Sequence, residues 1–448
     1  MGLCSRYSTT FSRPRHPARK TCVVRHETLL LQLAVVASSW ESPLLTRTAI
    51  TMQSARESSA YARVSSRIGR LSTDSAFVVL ARAQALEAEG ADVVHLEIGE
   101  PCFDTPGNVR VASKRAIDNG LTRYCNSQGI VPLRKEIAAE ILATRGVDIP
   151  PDRVVIGPGA KPLIFFAILA LLEEGDEALY PAPLFPVFQS AIGFAGATAV
   201  PVPLREELDF RFDLEELRAR ITPRTRLVIL NSPHNPTGGV LNADDVHEVA
   251  LLAQEHDLVV LSDEIYDHMY YGEPPASIFG IEGMQDRTVL VTGFSKTYAM
   301  TGWRLGYSVM PEWLIEPVVR LINSSISCTP HFVQMAGLEA LTGPQGDSVD
   351  MMKALRERRD LMVAGLNRIP GMTCRVPRGA FYAFPNIRAF GLTSSELSTL
   401  LLEEGGVATL PGTAFGLEGE GYLRLCFSTS IENIEKALVR ISRVISRL

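Results

Sequence analysis

From about residue 70 onward, short β-branched apolar runs alternate with longer stretches whose apolar positions recur every three or four residues. Residues 75–89 have the helical spacing and stop at Gly90, a residue suited to the left-handed backbone that ends a helix. The pattern then predicts a strand at 153–156 with a helix at 162–173, and a strand at 226–230 with a helix at 243–256. Further buried strands are predicted at 258–262 and 288–292. Strands alternating with helices predict an α/β domain with a mostly parallel sheet flanked by helices. After about residue 345 the pattern changes to a charged helix at 351–368, a Gly/Pro-punctuated strand segment and a closing helix at 433–448. This reads as a smaller α+β domain, completed by chain from the other end. The expected division is 61–109 and 346–448 for the small domain and 110–345 for the large one.

Residues 1–60 contribute no element. Residues 1–50 hold six Arg and one Lys against two Glu, whereas the whole chain carries a formal charge of −6. Three readings of this basic start stand side by side: an organelle transit peptide, a weak secretory signal, and a true start at Met52. The apolar run 29–37 is far shorter than the roughly 20 residues needed to span a bilayer. The mild acidity argues against nucleic acid as a partner, because phosphate backbones select a basic stripe. Seven cysteines, none in a C-x-x-C pair, suggest neither a disulfide framework nor a zinc site. A reducing compartment, the cytoplasm, is the expectation.

Only seven of the 44 basic residues are lysines, so a lysine in an apolar setting draws notice. Lys296 lies just past the strand 288–292, where burial lowers an ammonium pKa and suits a lysine to forming a Schiff base. Eight residues on, Arg304 offers a fork suited to phosphate. Asn235 follows the strand 226–230 in a Pro/Gly turn, at a strand's carboxyl end, where ligands of open α/β sheets bind. Asp263 ends another apolar strand, with Tyr266 three residues on, and a buried carboxylate needs a cationic partner. Gly159, Ala160 and Lys161 form a glycine turn leading into a helix, whose free amides make an anion site. Each feature has a plainer structural reading: a snorkelling lysine, a turn-capping Asn, a helix-capping Asp. Together they supply what pyridoxal 5′-phosphate requires: a Schiff-base lysine, a partner for the pyridinium and an anchor for the phosphate.

The motifs SPHNPTG (232–238), SDEIY (262–266), SKTYAMTGWRLGY (295–307) and RLCFSTS (424–430) resemble the class I, fold-type-I aminotransferases related to aspartate aminotransferase. The resemblance runs from residue 70 to the end. It implies that Lys296 binds the cofactor and shuttles a proton, that Asp263 keeps the pyridine nitrogen protonated, and that Asn235 and Tyr266 hydrogen-bond the ring oxygen. It further implies that Ser295, Arg304 and the amides of Ala160 and Lys161 hold the phosphate, and that Phe185 stacks on the ring. Arg424, with Gly99, Asn235 and Phe185, falls where the family binds substrate; Arg424 takes the α-carboxylate. Tyr124 matches a tyrosine that reaches the phosphate of a second subunit, implying a homodimer.

Four positions bear on that transfer. Gly293 stands where many relatives have a phosphate-binding Ser, Cys102 where an acidic residue is common, and Phe185 where several have Trp or Tyr. His234 reads as a turn residue. The implied reaction is amino transfer from an L-amino acid, aspartate-like by family default, to a 2-oxo acid such as 2-oxoglutarate. The alternative is β-elimination at a C–S bond of cysteine conjugates or cystathionine on the same cofactor. A transcriptional regulator on this fold would need a helix-turn-helix, and residues 1–60 lack the periodicity for one.

Overall fold

The structure, a computed structural model, describes residues 64–71 and 75–448. The three readings of residues 1–60 concern a segment outside these described residues. Ser66–Leu448 forms one compact unit. Its strands in chain order begin with β1 (Val94–His95), β2 (Val154–Gly157), β3 (Glu177–Ala182), β4 (Thr198–Arg205), β5 (Arg211–Phe212) and β6 (Thr225–Asn231). They continue with β7 (Val259–Asp263), β8 (Thr288–Gly293), β9 (Gly306–Val309), β10 (Tyr382–Ala383), β11 (Val407–Ala408), β12 (Leu410–Pro411) and β13 (Leu423–Cys426).

Eight strands form the main sheet in the order β2-β9-β8-β7-β6-β3-β4-β5. The five central strands β8, β7, β6, β3 and β4 run parallel to one another, and β9 and β5 pair antiparallel with their neighbours. Parallel strands covered by helices on both faces read as continuous apolar runs, and β6 shows why. Leu227 and Ile229 join the core on one face, with Leu163, Ile168 and Leu314 from the covering helices. Val228 and Leu230, one residue out of phase, join the core on the other face, with Val246 and Val249. Burying each such side chain contributes about 1.5–3 kcal/mol, so both faces resist a polar substitution.

The predicted helices are observed at Ser75–Ala88, Ala160–Leu171, Ala243–Glu255, Gly346–Leu366 and Ile431–Ile445, with shifted ends. The last is held by Ile434, Ala437, Ile441 and Val444, the three-and-four spacing of one apolar face. It packs with Leu355, Met362, Val407 and Leu425, and with Val94 and Leu96 from far earlier in the chain. The small sheets here are β10-β13-β12 and β1-β11, an α+β arrangement built from both ends of the chain. Among the described residues, no helix is long and apolar enough to cross a membrane.

Candidate active site

The register of the main sheet brings the chemistry together. Asn231 at the end of β6 pairs with Asp263 at the end of β7, and Asp263 pairs with Val291 near the end of β8. The segments leaving these ends carry Asn235, Tyr266, Ser295 and Lys296. A cavity of about 540 Å³ lies over them, bounded also by Gly99, Ala160, Lys161, Phe185, Arg304 and Arg424. Every expected site residue except Tyr124 therefore lines one cavity. Tyr124 lies outside it and is 87% exposed.

The segment between β8 and β9 presents the lysine. Lys296 Nζ donates to the Gly99 carbonyl at 2.6 Å and lies 5.7 Å from the centre of the Phe381 ring. Burial brings its pKa down to about 8, and Arg424 and Arg304 act in the same direction. Asp263 is buried; one of its oxygens accepts from the Ile265 amide at 3.1 Å. Burial pushes its carboxyl up to about 7, with the neighbouring Glu264 adding to the rise. No helix follows it, so capping does not explain the residue. The Asn235 turn is braced by Asn231, whose Oδ1 accepts from the Asn235 amide at 3.0 Å and whose Nδ2 donates to the Asp263 carbonyl at 3.2 Å.

The anion end is assembled from the helix Ala160–Leu171 and Arg304. Gly159 precedes that helix at φ +96, and a Cβ there would come within 2.5 Å of the Arg304 guanidinium. Glycine takes this φ without strain and leaves room for the arginine beside the start of the helix, where the first amides have no partner within the helix. Arg304 is itself left-handed, at φ 55, and donates to the Thr301 carbonyl at 2.8 Å. Lys161 Nζ sits 4.7 Å from the centre of the Phe185 ring.

Arg424, buried on β13, donates to the Glu97 carbonyl and, at 3.5 Å, to Asn235 Oδ1. Its Nε has no hydrogen-bond partner, and no carboxylate among the described residues lies within salt-bridge distance. A buried guanidinium so placed calls for an external carboxylate.

Two residue choices noted in the sequence acquire reasons. A side chain at Gly293 would approach Gly306 Cα at 2.8 Å and the Leu305 carbonyl at 3.0 Å, because these two glycines face each other across β8 and β9. Cys102 Sγ receives a hydrogen bond from Arg358 at 3.0 Å, so an acidic residue there would gain an ion pair. His234 is buried in its turn with Nδ1 2.8 Å from Thr237 Oγ1, and burial brings its pKa down to about 3.

Tyr382 was not legible beforehand. It is fully buried on β10, its Oη is 2.7 Å from Tyr266 Oη, and the Arg424 guanidinium lies 4.6 Å from its ring centre. Its segment, Gly379-Ala-Phe-Tyr, has no polar pattern to mark it.

The chain is similar to known proteins over most of its length. The model of the family Aminotransferase class I and II matches residues 91–441. Aromatic-amino-acid aminotransferase 2 of Thermococcus litoralis is 40% identical over 81% of this chain and 93% of that protein. Aspartate aminotransferase of Pyrococcus abyssi is 41% identical over 79% of this chain and 92% of that protein. The structure of Thermus thermophilus aspartate aminotransferase with maleate superposes with a TM-score of 0.81 at 36% identity, covering 85% of this chain and 99% of that one.

Proposed function

The chain belongs to the class I and II aminotransferases, which use pyridoxal phosphate, and on that premise we propose that it moves the amino group of an acidic, aspartate-like L-amino acid to a 2-oxo acid such as 2-oxoglutarate. Four basic side chains line the cavity, and with Lys296 and Arg304 given to the cofactor and Arg424 to the α-carboxylate, the observation that carries the acidic substrate is the fourth: Lys161 Nζ, over the Phe185 ring. An α-carboxylate on Arg424 would leave a distal carboxylate to meet it. The structure of the Thermus aspartate aminotransferase with maleate, a dicarboxylate, fits the same reading.

The residues suit the cofactor. Asp263, raised by burial, gains a cationic partner in a protonated ring nitrogen, and the Gly159 cradle with Arg304 suits its phosphate. When bound, pyridoxal phosphate supplies a carbonyl carbon for the amino group and a ring that accepts the electrons released at Cα. Lys296, with its pKa lowered, binds the cofactor and then moves the proton at the substrate Cα. Asn235 and Tyr266 hydrogen-bond the ring oxygen, Ser295 and the Ala160 and Lys161 amides complete the phosphate site, and Phe185 covers the ring. Arg424 fixes the α-carboxylate, with the backbone of Gly99 beside it. Exposed Tyr124 serves the site of a second copy in a cytoplasmic homodimer, and the chain divides into domains near residues 110 and 345.

The test is the absorbance spectrum of the protein with pyridoxal phosphate and one L-amino acid at a time. Loss of the visible band with aspartate or glutamate, and its return with 2-oxoglutarate, is the expected result. A band that persists while pyruvate and ammonia form from a cysteine conjugate would make the enzyme a lyase. Conversion by aromatic but not acidic amino acids would sink the substrate assignment.

A further inference from the structure

Tyr382 and Tyr266 come from different sheets. Tyr266 leaves the carboxyl end of β7 in the main sheet, whereas Tyr382 begins β10 in the three-stranded sheet. Their hydroxyls meet at 2.7 Å in a buried contact, with the rings nearly perpendicular. Tyr382 pairs with Cys426 across β10 and β13. Arg424, two residues back on β13, therefore lies diagonally on the same face, which puts its guanidinium over the Tyr382 ring. Gly99 completes the arrangement: a Cβ there would collide with Tyr382 Oη, so the glycine keeps room for that hydroxyl.

Each tyrosine hydroxyl has one proton and two acceptor positions. Among the described residues, Tyr266 Oη is the hydrogen-bond partner of Tyr382 Oη. If Tyr266 donated to Tyr382, it would have no proton left for a ligand in the cavity. If Tyr382 donates, the Tyr266 proton is free to point there, and the received bond strengthens the donated one. Burial raises both phenols and Arg424 acts on both in the opposite sense, but it is the Tyr382 ring that its guanidinium faces, 4.6 Å from the centre, and a cation over that ring favours the second arrangement, with Tyr382 as donor.

Building on the reading of Tyr266 as a ligand of the cofactor's ring oxygen, we infer that Tyr382 is a positioning residue: its hydroxyl donates to Tyr266 and thereby aims the Tyr266 proton at that oxygen, while its ring braces Arg424 beneath the substrate carboxylate. One side chain from the small sheet then links the carboxylate site to the cofactor site on the main sheet. Tyr382 touches neither the ring oxygen nor the reacting atoms in this role.

The experiment is a cycle of Tyr382→Phe, Tyr266→Phe and the double variant in the full-length, cofactor-loaded protein. The primary readout is the pH midpoint of the visible absorbance change, measured without substrate. Phenylalanine keeps the ring and, as checked by melting temperature, the fold. Less donation to a phenolate leaves it more basic, so Tyr382→Phe is expected to move the midpoint up by about half a unit or more. The shift should vanish when Tyr266 is already Phe, as coupling through one contact requires. With substrate, kcat should fall about 3–10-fold while KM stays within about twofold, because the ring still supports Arg424. An unmoved midpoint in Tyr382→Phe, or the same shift in both backgrounds, would overturn the inference and leave the role of Tyr266 standing. An unmoved midpoint in Tyr266→Phe alone would instead remove the reading of Tyr266, and the inference with it.

Discussion

Lys296 Nζ donates to the carbonyl oxygen of Gly99 at 2.6 Å, joining residues 197 positions apart in the chain. The bond holds the amine against the Gly99 backbone, and burial is the largest influence on its charge. Because burial lowers the lysine to about 8, and only the neutral amine attacks a carbonyl carbon, capture of pyridoxal phosphate by the cofactor-free protein should quicken with pH and level off above about 8. A lysine with an ordinary pKa would keep accelerating toward pH 10. Stopped-flow absorbance between pH 6 and 10 separates the two. Lys296→Ala should show no covalent capture and no turnover; retained turnover would remove the lysine from the mechanism.

Asp263 shifts in the opposite sense, and its sign matters for stability. Burial raises its folded-state pKa to about 7, above the ordinary value of 3.8, so the folded cofactor-free protein holds this proton more tightly than the unfolded chain does. The contribution is fully present below about pH 4 and is lost as the pH rises through about 7. Denaturant melts of cofactor-free protein should therefore weaken over that window, and Asp263→Asn should flatten this part of the profile. The same variant cannot offer a carboxylate to a ring nitrogen, and kcat should fall by about two orders of magnitude or more. An unchanged pH profile together with normal turnover would assign Asp263 to the fold alone.

Gly293 and Gly306 face each other where β8 and β9 approach, and a Cβ at Gly293 meets Gly306 Cα at 2.8 Å. Restoring the serine that many relatives carry should then act as overpacking and destabilise by about 1–3 kcal/mol. The expected outcome for Gly293→Ser is a melting temperature lower by several degrees, with no gain in cofactor affinity. A tighter-binding, equally stable variant would show that the strands can part and that the serine anchors phosphate here as well.

These glycines also mark where sequence reading stops. The buried strands β6, β7 and β8 were legible because a strand covered on both faces must be apolar at every position, as Leu227 to Leu230 are. Asp263 and Lys296 were legible because each interrupts or follows such a run with a charge. The antiparallel strand β9 was not separated from the lysine segment, since its four residues carry two small ones and no period. Tyr382 was missed for a different reason. Its significance comes from Tyr266, Arg424 and Gly99, which lie 116, 42 and 283 positions away in sequence and meet it only through the pairing of β10 with β13. The contact made by Cys102 depends likewise on Arg358, a residue of the long helix Gly346–Leu366.

The proposed acidic substrate can be tested at Lys161. Its backbone amide belongs to the first turn of the helix Ala160–Leu171, but its ammonium reaches the Phe185 ring inside the cavity. These two parts can be separated, because Lys161→Ala removes the ammonium and keeps the amide. A charged hydrogen bond to a substrate carboxylate is worth about 1.5–3 kcal/mol. The kcat/KM for aspartate should therefore fall about 10–100-fold in Lys161→Ala, while that for phenylalanine changes by less than about threefold. Steady-state rates with both amino acids and a common 2-oxo acid measure the ratio. Equal losses for the two substrates would mean that the ammonium serves the cofactor, and the acidic specificity would have to come from elsewhere. A loss confined to aspartate, with the cofactor affinity unchanged, would place the distal carboxylate at Lys161.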